Sequence, residues 1–317
     1  MAFELKPNEP VGAGLTRNVR NQIEKAIEYL DAKAEPKAPE PKAKDSPRAG
    51  APEKDTAGEV RKCFKRIRAA LRLAREELGE DLYHEENWSF RDAARPLTQV
   101  RDARVLVQTA ERLRGQLVRT IGPGSYTKIH TALIANRQEV TCQVLGQGKA
   151  LATVADAAAR AIARLSAWKL QRDGWAALEP GLRRVYRQGR RALAVARESP
   201  SVANLHEWRK QTKYLWHQLQ LLQATWTGAQ KEFVDRTHQL ATLLGEDHDL
   251  AVLRETLAAD PLAYGGHRIL KAVFAVIDRH RGELELQAFA LGQEIYQDQP
   301  RTFTSRVQTW MHYREAA

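Results

Sequence analysis

Two blocks of this sequence occur twice in the same order, and that recurrence limits the fold more tightly than any single motif. Val60-Arg61-Lys62-Cys63-Phe64-Lys65 aligns with Trp208-Arg209-Lys210-Gln211-Thr212-Lys213, and the register continues to Leu71 and Leu73, which fall on Leu219 and Leu221. Further on, Arg101-Asp102-Ala103-Arg104-Val105-Leu106 aligns with His248-Asp249-Leu250-Ala251-Val252-Leu253, the offset changing by one residue. Both copies carry apolar residues at helical spacing. A chain that repeats a helical unit is expected to build two similar all-α halves.

The rest of the chain agrees. Alternating apolar runs and strand-turn-strand signals are missing. Helices are expected at Leu15–Ala32, Ala57–Leu78, Glu85–Thr120, Tyr126–Leu145, Ala150–Arg172, Leu178–Arg197, Val202–Ala224, Ala229–Ala258, His267–Tyr296 and Phe303–Tyr313, separated by Gly and Pro. Long elements with short loops favour antiparallel bundles. Residues 1–14 are expected as an N-terminal tail. Residues 15–317 form one helical domain, its halves about 15–147 and 148–317, and 32–56 is a flexible Pro/Ala/Lys-rich insertion.

Three helices carry basic stripes. In Val202–Leu222, Leu205, Trp208, Leu215, Leu219 and Leu222 make the apolar side, and His206, Arg209, Lys213 and Trp216 recur beside it. Arg61, Lys65, Arg68, Arg72 and Arg75 are spaced 4, 3, 4, 3, flanked by Lys62 and Arg66. Arg183, Arg187, Arg190 and Arg197 repeat the device, with Arg184 and Arg191 alongside. Like charges one turn apart cost about 0.2–0.5 kcal/mol per pair, so stripes nearly free of acids make sense where an anion fills them. The 50 basic against 39 acidic residues, a net charge of +11, likewise point to a polyanion.

Arg predominates in the stripes, and its planar fork matches phosphate oxygens. DNA-binding motifs of recognisable spacing are missing. Stacking aromatics for a single strand are confined to Trp208, Tyr214 and Trp216 on one helix. A membrane surface would want an apolar face turned to solvent, and these faces look committed to a bundle. Phosphate polymer is preferred, with nucleic acid kept as an alternative. His206 is expected to add charge as pH falls below about 6.5.

Glu246, Asp247, His248 and Asp249 invite a metal reading, with His206 or His238 completing a site. Successive helical residues, however, point about 100° apart, and the repeat places Arg101 where His248 stands. Asp102 and Asp249 are instead expected to pair with arginines inside the bundle. No nucleophile elbow, P-loop or HExxH motif is present. No catalytic residue, metal or cofactor is assigned, although an enzyme or enzyme regulator acting on phosphate anhydrides stays as an alternative. Cys63 and Cys142 are read as buried free thiols. MAFELKPNEP lacks the apolar core of a secretory signal, so a cytoplasmic protein is expected.

His206-x-x-Arg209-Lys210-x-x-Lys213-Tyr214, followed by Leu243-Leu244-Gly245-Glu246-Asp247-His248-Asp249-Leu250, resembles the CHAD (conserved histidine α-helical domain) family. Tyr186-Arg187-Gln188-Gly189-Arg190-Arg191 and Arg61-Lys62-Cys63-Phe64-Lys65-Arg66-Ile67-Arg68 fit the same resemblance. It implies two pseudo-symmetric four-helix-bundle halves around a central basic groove, binding of inorganic polyphosphate, and association with polyphosphate granules. It assigns phosphate contacts to Arg61, Lys62, Lys65, Arg66, Arg68, Arg72, Arg183, Arg187, Arg190, Arg191, His206, Arg209, Lys210, Lys213 and Tyr214. Such domains are often fused to a CYTH triphosphatase, whose Glu-x-Glu-x-Lys motif has only a poor echo in Glu283-Leu284-Glu285-Leu286-Gln287. The first-half counterpart of His206 is Gly58, so a symmetrical set of histidines is not expected.

Overall fold

Proline and glycine punctuate this chain, and in the computed structural model the helices start and stop at that punctuation. Residues 3–34, 55–146 and 148–312 are described. They form α1 (Val11–Ala34), α2 (Thr56–Leu73), α3 (Arg75–Leu78), α4 (Glu80–Ala93), α5 (Pro96–Arg112), α6 (Arg114–Ile121), α7 (Pro123–Leu145), α8 (Lys149–Arg164), α9 (Trp175–Glu198), α10 (Val202–Leu222), α11 (Gly228–Ala259), α12 (His267–Ile295) and α13 (Pro300–His312), with no strand among the described residues. The chain is all-α, as expected. Residues 35–54, most of the expected 32–56 insertion, lie outside the described residues.

One expected helix is broken in a way that matters. Glu85–Thr120 is α4, α5 and α6. Pro96 has no N–H to give the carbonyl of Asp92, and its ring crowds that position. The chain turns at Ala94 and Arg95, where Arg95 N–H bonds the Asp92 carbonyl at 3.1 Å. In the second half, α11 runs unbroken through the matching region. The expected Ala57–Leu78 divides more gently at Ala74, whose N–H still reaches Ala70 at 3.1 Å. The expected Ala150–Arg172 ends at Arg164, followed by a 3-10 turn over Leu165–Ala167.

The copied segments meet at the centre of the molecule. α2 packs on α10, α10 on α11, α11 on α5 and α5 on α2, closing a quartet. Around it α1 lies on α2 and α8, and α4 on α2 and α8. On the other side α9 lies on α10 and α13, and α12 on α11. α8, beyond the expected boundary at 147/148, thus packs against α1 and α4. A large core joins α1–α4 and α8–α10 through Ile23, Phe64, Ile67, Phe90, Val154, Tyr186 and Trp208. A second, around Leu106, Leu117, Leu133, Leu253 and Ile277, joins α5–α7 to α11 and α12. The expected tail is packed rather than loose: Phe3 and Leu5 are buried, and Leu5 N–H donates to the Leu221 carbonyl at 2.7 Å. No helix among the described residues is long and apolar enough to cross a membrane.

Candidate functional site

α2 and α10 bury Val60, Phe64, Ile67 and Leu71 on one side and Leu205, Trp208, Leu215 and Leu219 on the other. The basic stripes adjoin these faces, so packing the two apolar faces draws the cations together at the edge of the core. Lys65 and Lys213, matched in the repeat, both stand in the field of Arg61, Arg101 and Arg209, and Lys213 is the strongest charge acting on Lys65. Burial first, then these neighbours, hold Lys65 well below the usual lysine range. The same causes push Lys213 down to about 7. Arg61 and Arg209 are also lowered, chiefly by burial. Arg209 lies along α11 at Gly245, 3.6 Å from where a Cβ would be, and its buried Nε has no hydrogen-bond partner.

Acids do not balance the cluster. Arg101 reaches Asp102 at 3.0 Å and Asp249 at 3.4 Å, so the two carboxylates shared by the repeats are both held by one arginine, and Arg112 stands 4.0 Å from Asp249. Among the described residues, Arg61, Lys65, Arg68, Arg72, Arg209 and Lys213 form no ion pair within 4.0 Å. Arg61 bonds Thr98 Oγ1 and the Ala94 carbonyl freed at the Pro96 break. Arg68 and Arg72 share Asn87 Oδ1 at 3.0 and 2.9 Å, and Arg72 lies over the Tyr214 ring at 3.9 Å. Uncharged partners fix these guanidinium groups without neutralising them, which leaves the site preorganised for an anion.

Two cavities open on the cluster. One, of about 520 Å³, lies between α2 and the α4–α5 break and is lined by Arg61, Lys65, Arg68, Arg91 and Arg95, with Asp92 its one acid. Asp92 is held by Arg91 at 2.8 Å. The other, of about 440 Å³, lies between α2 and α5 and includes Arg61, Lys65, Arg101, Arg112 and Asp249. Arg61 and Lys65 line both. Arg91, Arg95 and Arg101 escaped the sequence reading. Arg91 and Arg95 sit one turn apart just before Pro96, a signal visible only once the proline is taken as a break.

The remaining expected contacts are dispersed. Lys62 and Lys210 are exposed and paired within their own helices to Glu59 at 2.8 Å and Glu207 at 2.5 Å, although Lys62 still lines the second cavity. Arg66 turns to α1, over Phe3 and toward Gln22. Arg183 pairs with Glu179 at 3.3 Å, Arg184 with Glu76, and Arg190 with Gln299. Arg187 and Arg191 are exposed on the same helix, and neither lines the two cavities. The α9 stripe is therefore paired within its own helix, tied to Glu76 of α3 and Gln299 before α13, or exposed, its apolar side being spent on α10 and α2.

His206 and His248 meet across α10 and α11 with ring centroids 4.4 Å apart. Burial, then Arg209, lowers both, His248 to about 3. The expectation that His206 gains charge just below pH 6.5 is thus corrected: burial and Arg209 move that charging to lower pH. The successive donors after Gly245 diverge. Glu246 faces Arg112, Asp247 is buried against Arg281 at 2.7 Å, His248 meets His206, and Asp249 meets Arg101. No group of three or more His, Cys, Asp or Glu stands together to hold a metal among the described residues. The aromatic candidates are occupied: Trp208 is buried on Phe289, Tyr214 lies under Arg72, and Trp216 stacks on His238 at 4.0 Å. Cys63 is buried, its thiol pushed up to about 11, but Cys142 is exposed, contrary to expectation.

A family model described as the CHAD domain matches residues 43–258, more than half of the chain. No curated protein matches it.

Proposed function

We propose that this chain, which belongs to the CHAD family, binds inorganic polyphosphate without cleaving it. The observation that carries the reading is the unpaired cation cluster that the repeated α2 and α10 bring together at the central quartet. Keeping Lys65 and Lys213 ionised there works against folding, and a phosphate chain reverses that cost by supplying the missing negative charge. On this reading the two cavities are consecutive parts of one basic groove, and the flanking helices make two pseudo-symmetric bundles around it. The cavity carboxylates are engaged by cations, Asp92, Asp249 and Asp55 by arginines and Glu59 by Lys62, which favours binding over a metal-assisted cut. The burial of Trp208 and Tyr214 favours a polymer without bases over a single-stranded nucleic acid. The protein would act in the cytoplasm, at polyphosphate granules.

The test is a titration of the full chain with polyphosphate and with single-stranded DNA of matched charge, at two salt concentrations. Polyphosphate is expected to bind more tightly, with a log–log salt slope of about −0.7 per neutralised phosphate if it behaves as other flexible polyanions do. Replacing Arg61 and Lys65 together with alanine should remove most of that affinity. Equal binding of DNA, or undiminished polyphosphate binding by the double variant, overturns the proposal. Release of orthophosphate in the same samples, with and without Mg²⁺, would return the reading to an enzyme.

A further inference from the structure

Lys65 combines two properties that a plain phosphate contact does not need. It lines both cavities, so a small anion in either one reaches it. It also has no hydrogen bond or ion pair among the described residues to hold its proton. Arg61, Arg101, Arg209 and Lys213 surround it. Such a ring concentrates phosphate dianions and, by the same field, disfavours the protonated amine. A reagent that carries a phosphate group beside an activated carbonyl would be gathered exactly where a free amine waits. Lys62 and Lys210, exposed on the same two helices, are ion-paired to Glu59 and Glu207; Lys62 lines only the second cavity and Lys210 lines neither.

We propose that Lys65 is a site of acylation by acyl phosphates drawn into the cleft; the proposal rests on the anion-binding reading of that cleft. The Lys65 Nζ lone pair adds to the acyl carbon, a C–N bond forms and the C–O bond to phosphate breaks. Orthophosphate leaves among the arginines, and the proton lost from nitrogen passes to water. No electrons are exchanged with another reagent. The product is a neutral amide, so the modification removes one cation from the centre of the cluster and weakens the site for polyanions.

The experiment treats the full chain with acetyl phosphate near neutral pH and follows each lysine by mass-spectrometric peptide mapping. The cavities deliver the reagent to Lys65, and burial and the surrounding cations favour its free amine, so Lys65 should acetylate at least several-fold faster than Lys62 and Lys210. Inorganic triphosphate should suppress that excess. An uncharged acetyl ester should favour Lys65 over Lys213 much less, because Lys213 lines neither cavity and only the charged reagent is delivered. Lys65 reacting no faster than Lys62 overturns the proposal. Polyphosphate binding measured on the same preparation separates the two readings. Tight binding without a Lys65 preference sinks acylation alone, and a Lys65 preference in a chain that binds no polyphosphate sinks the polyphosphate reading alone. Lys65→Arg keeps the charge and removes the amine. Acetyl phosphate should therefore lower polyphosphate affinity in the native chain and not in K65R; equal losses in both overturn the regulatory consequence.

Discussion

Replacing Lys213 with methionine should make the free protein more stable and a poorer polyphosphate binder. The side chain keeps its length and loses its charge. Burial, then Arg209 and Arg101, push Lys213 from 10.5 down to about 7. At 1.36 kcal/mol per pKa unit, keeping that amine protonated in the fold costs roughly 5 kcal/mol, or roughly 4 at neutral pH, where half of it sheds the proton. Local relaxation recovers part of this, and replacing buried ions by apolar residues of similar volume stabilises proteins by about 1–4 kcal/mol. The melting temperature should rise by roughly 1.5 °C per kcal/mol for a chain of this size. The sign with pH follows from the depressed value. Between about pH 7 and 10.5 the unfolded chain binds more protons than the native one, so native stability climbs with pH. The advantage of K213M is therefore full below about pH 7 and closes toward pH 10.5. The assay is calorimetric melting at pH 7 and pH 10, with and without polyphosphate. K213M melting below the native protein at pH 7, or gaining as much from polyphosphate as the native protein does, would refute the reasoning.

Other substitutions probe the surroundings. Asp249→Ala removes a carboxylate from Arg101 and should cost roughly 1.5–3 kcal/mol by urea denaturation, the range for a hydrogen bond to a charged group; polyphosphate should restore more stability to this variant than it adds to the native chain. Arg281→Met strands the buried Asp247 carboxylate and should cost about 3–5 kcal/mol, with no recovery on adding polyphosphate. His217 and His248 are both held down to about 3, chiefly by burial. Below about pH 6.5 the unfolded chain takes up protons that these imidazoles refuse, so stability should fall from pH 6.5 toward pH 3, and His248→Phe should flatten that limb of the urea midpoint against pH.

The helical class, the duplication and the matching of Lys65 with Lys213 were legible because they rest on periodicity and self-alignment. The third stripe misled because spacing on one helix fixes a face but not a direction. α9 spends its apolar side on α10 and α2, and its arginines are taken up nearby: Arg183 by Glu179 of the same helix, Arg184 by Glu76 of α3 and Arg190 by Gln299 just before α13. Arg91 and Arg95 went unseen for the converse reason: they belong to the site through the Pro96 break, and a continuous helix over that region hides them. The pairing of Asp249 was foreseen in kind, an arginine within the bundle, but its partner comes from α5, across the repeat. Burial lies beyond any local pattern, which is why the lowering of His206 was not foreseen.

The repeat is unequal where it matters, and the inequality has a local cause. Asp55, Gly58, Arg101 and Gln108 line the second cavity, and their matched residues Ala203, His206, His248 and Glu255 line a cavity of about 870 Å³ between α10 and α11. The first holds the unpaired cations Arg61 and Lys65; the second holds two imidazoles against each other. Asp55 caps α2 by accepting the Gly58 N–H at 3.0 Å, and a Cβ on residue 58 would collide with that carboxylate. α10 is capped instead by Ser201, which accepts from Asn204 at 3.2 Å. It therefore begins earlier in the shared register, and His206 lies past the cap, where a side chain has room. A histidine at 58 would displace a cap worth about 0.5–2 kcal/mol. The capping residue thus leaves position 58 without a side chain, whereas His206 lines the matching cavity. On the proposed reading, polyanion binding is thereby tied to the Arg61–Lys65 side of the quartet rather than to both sides equally.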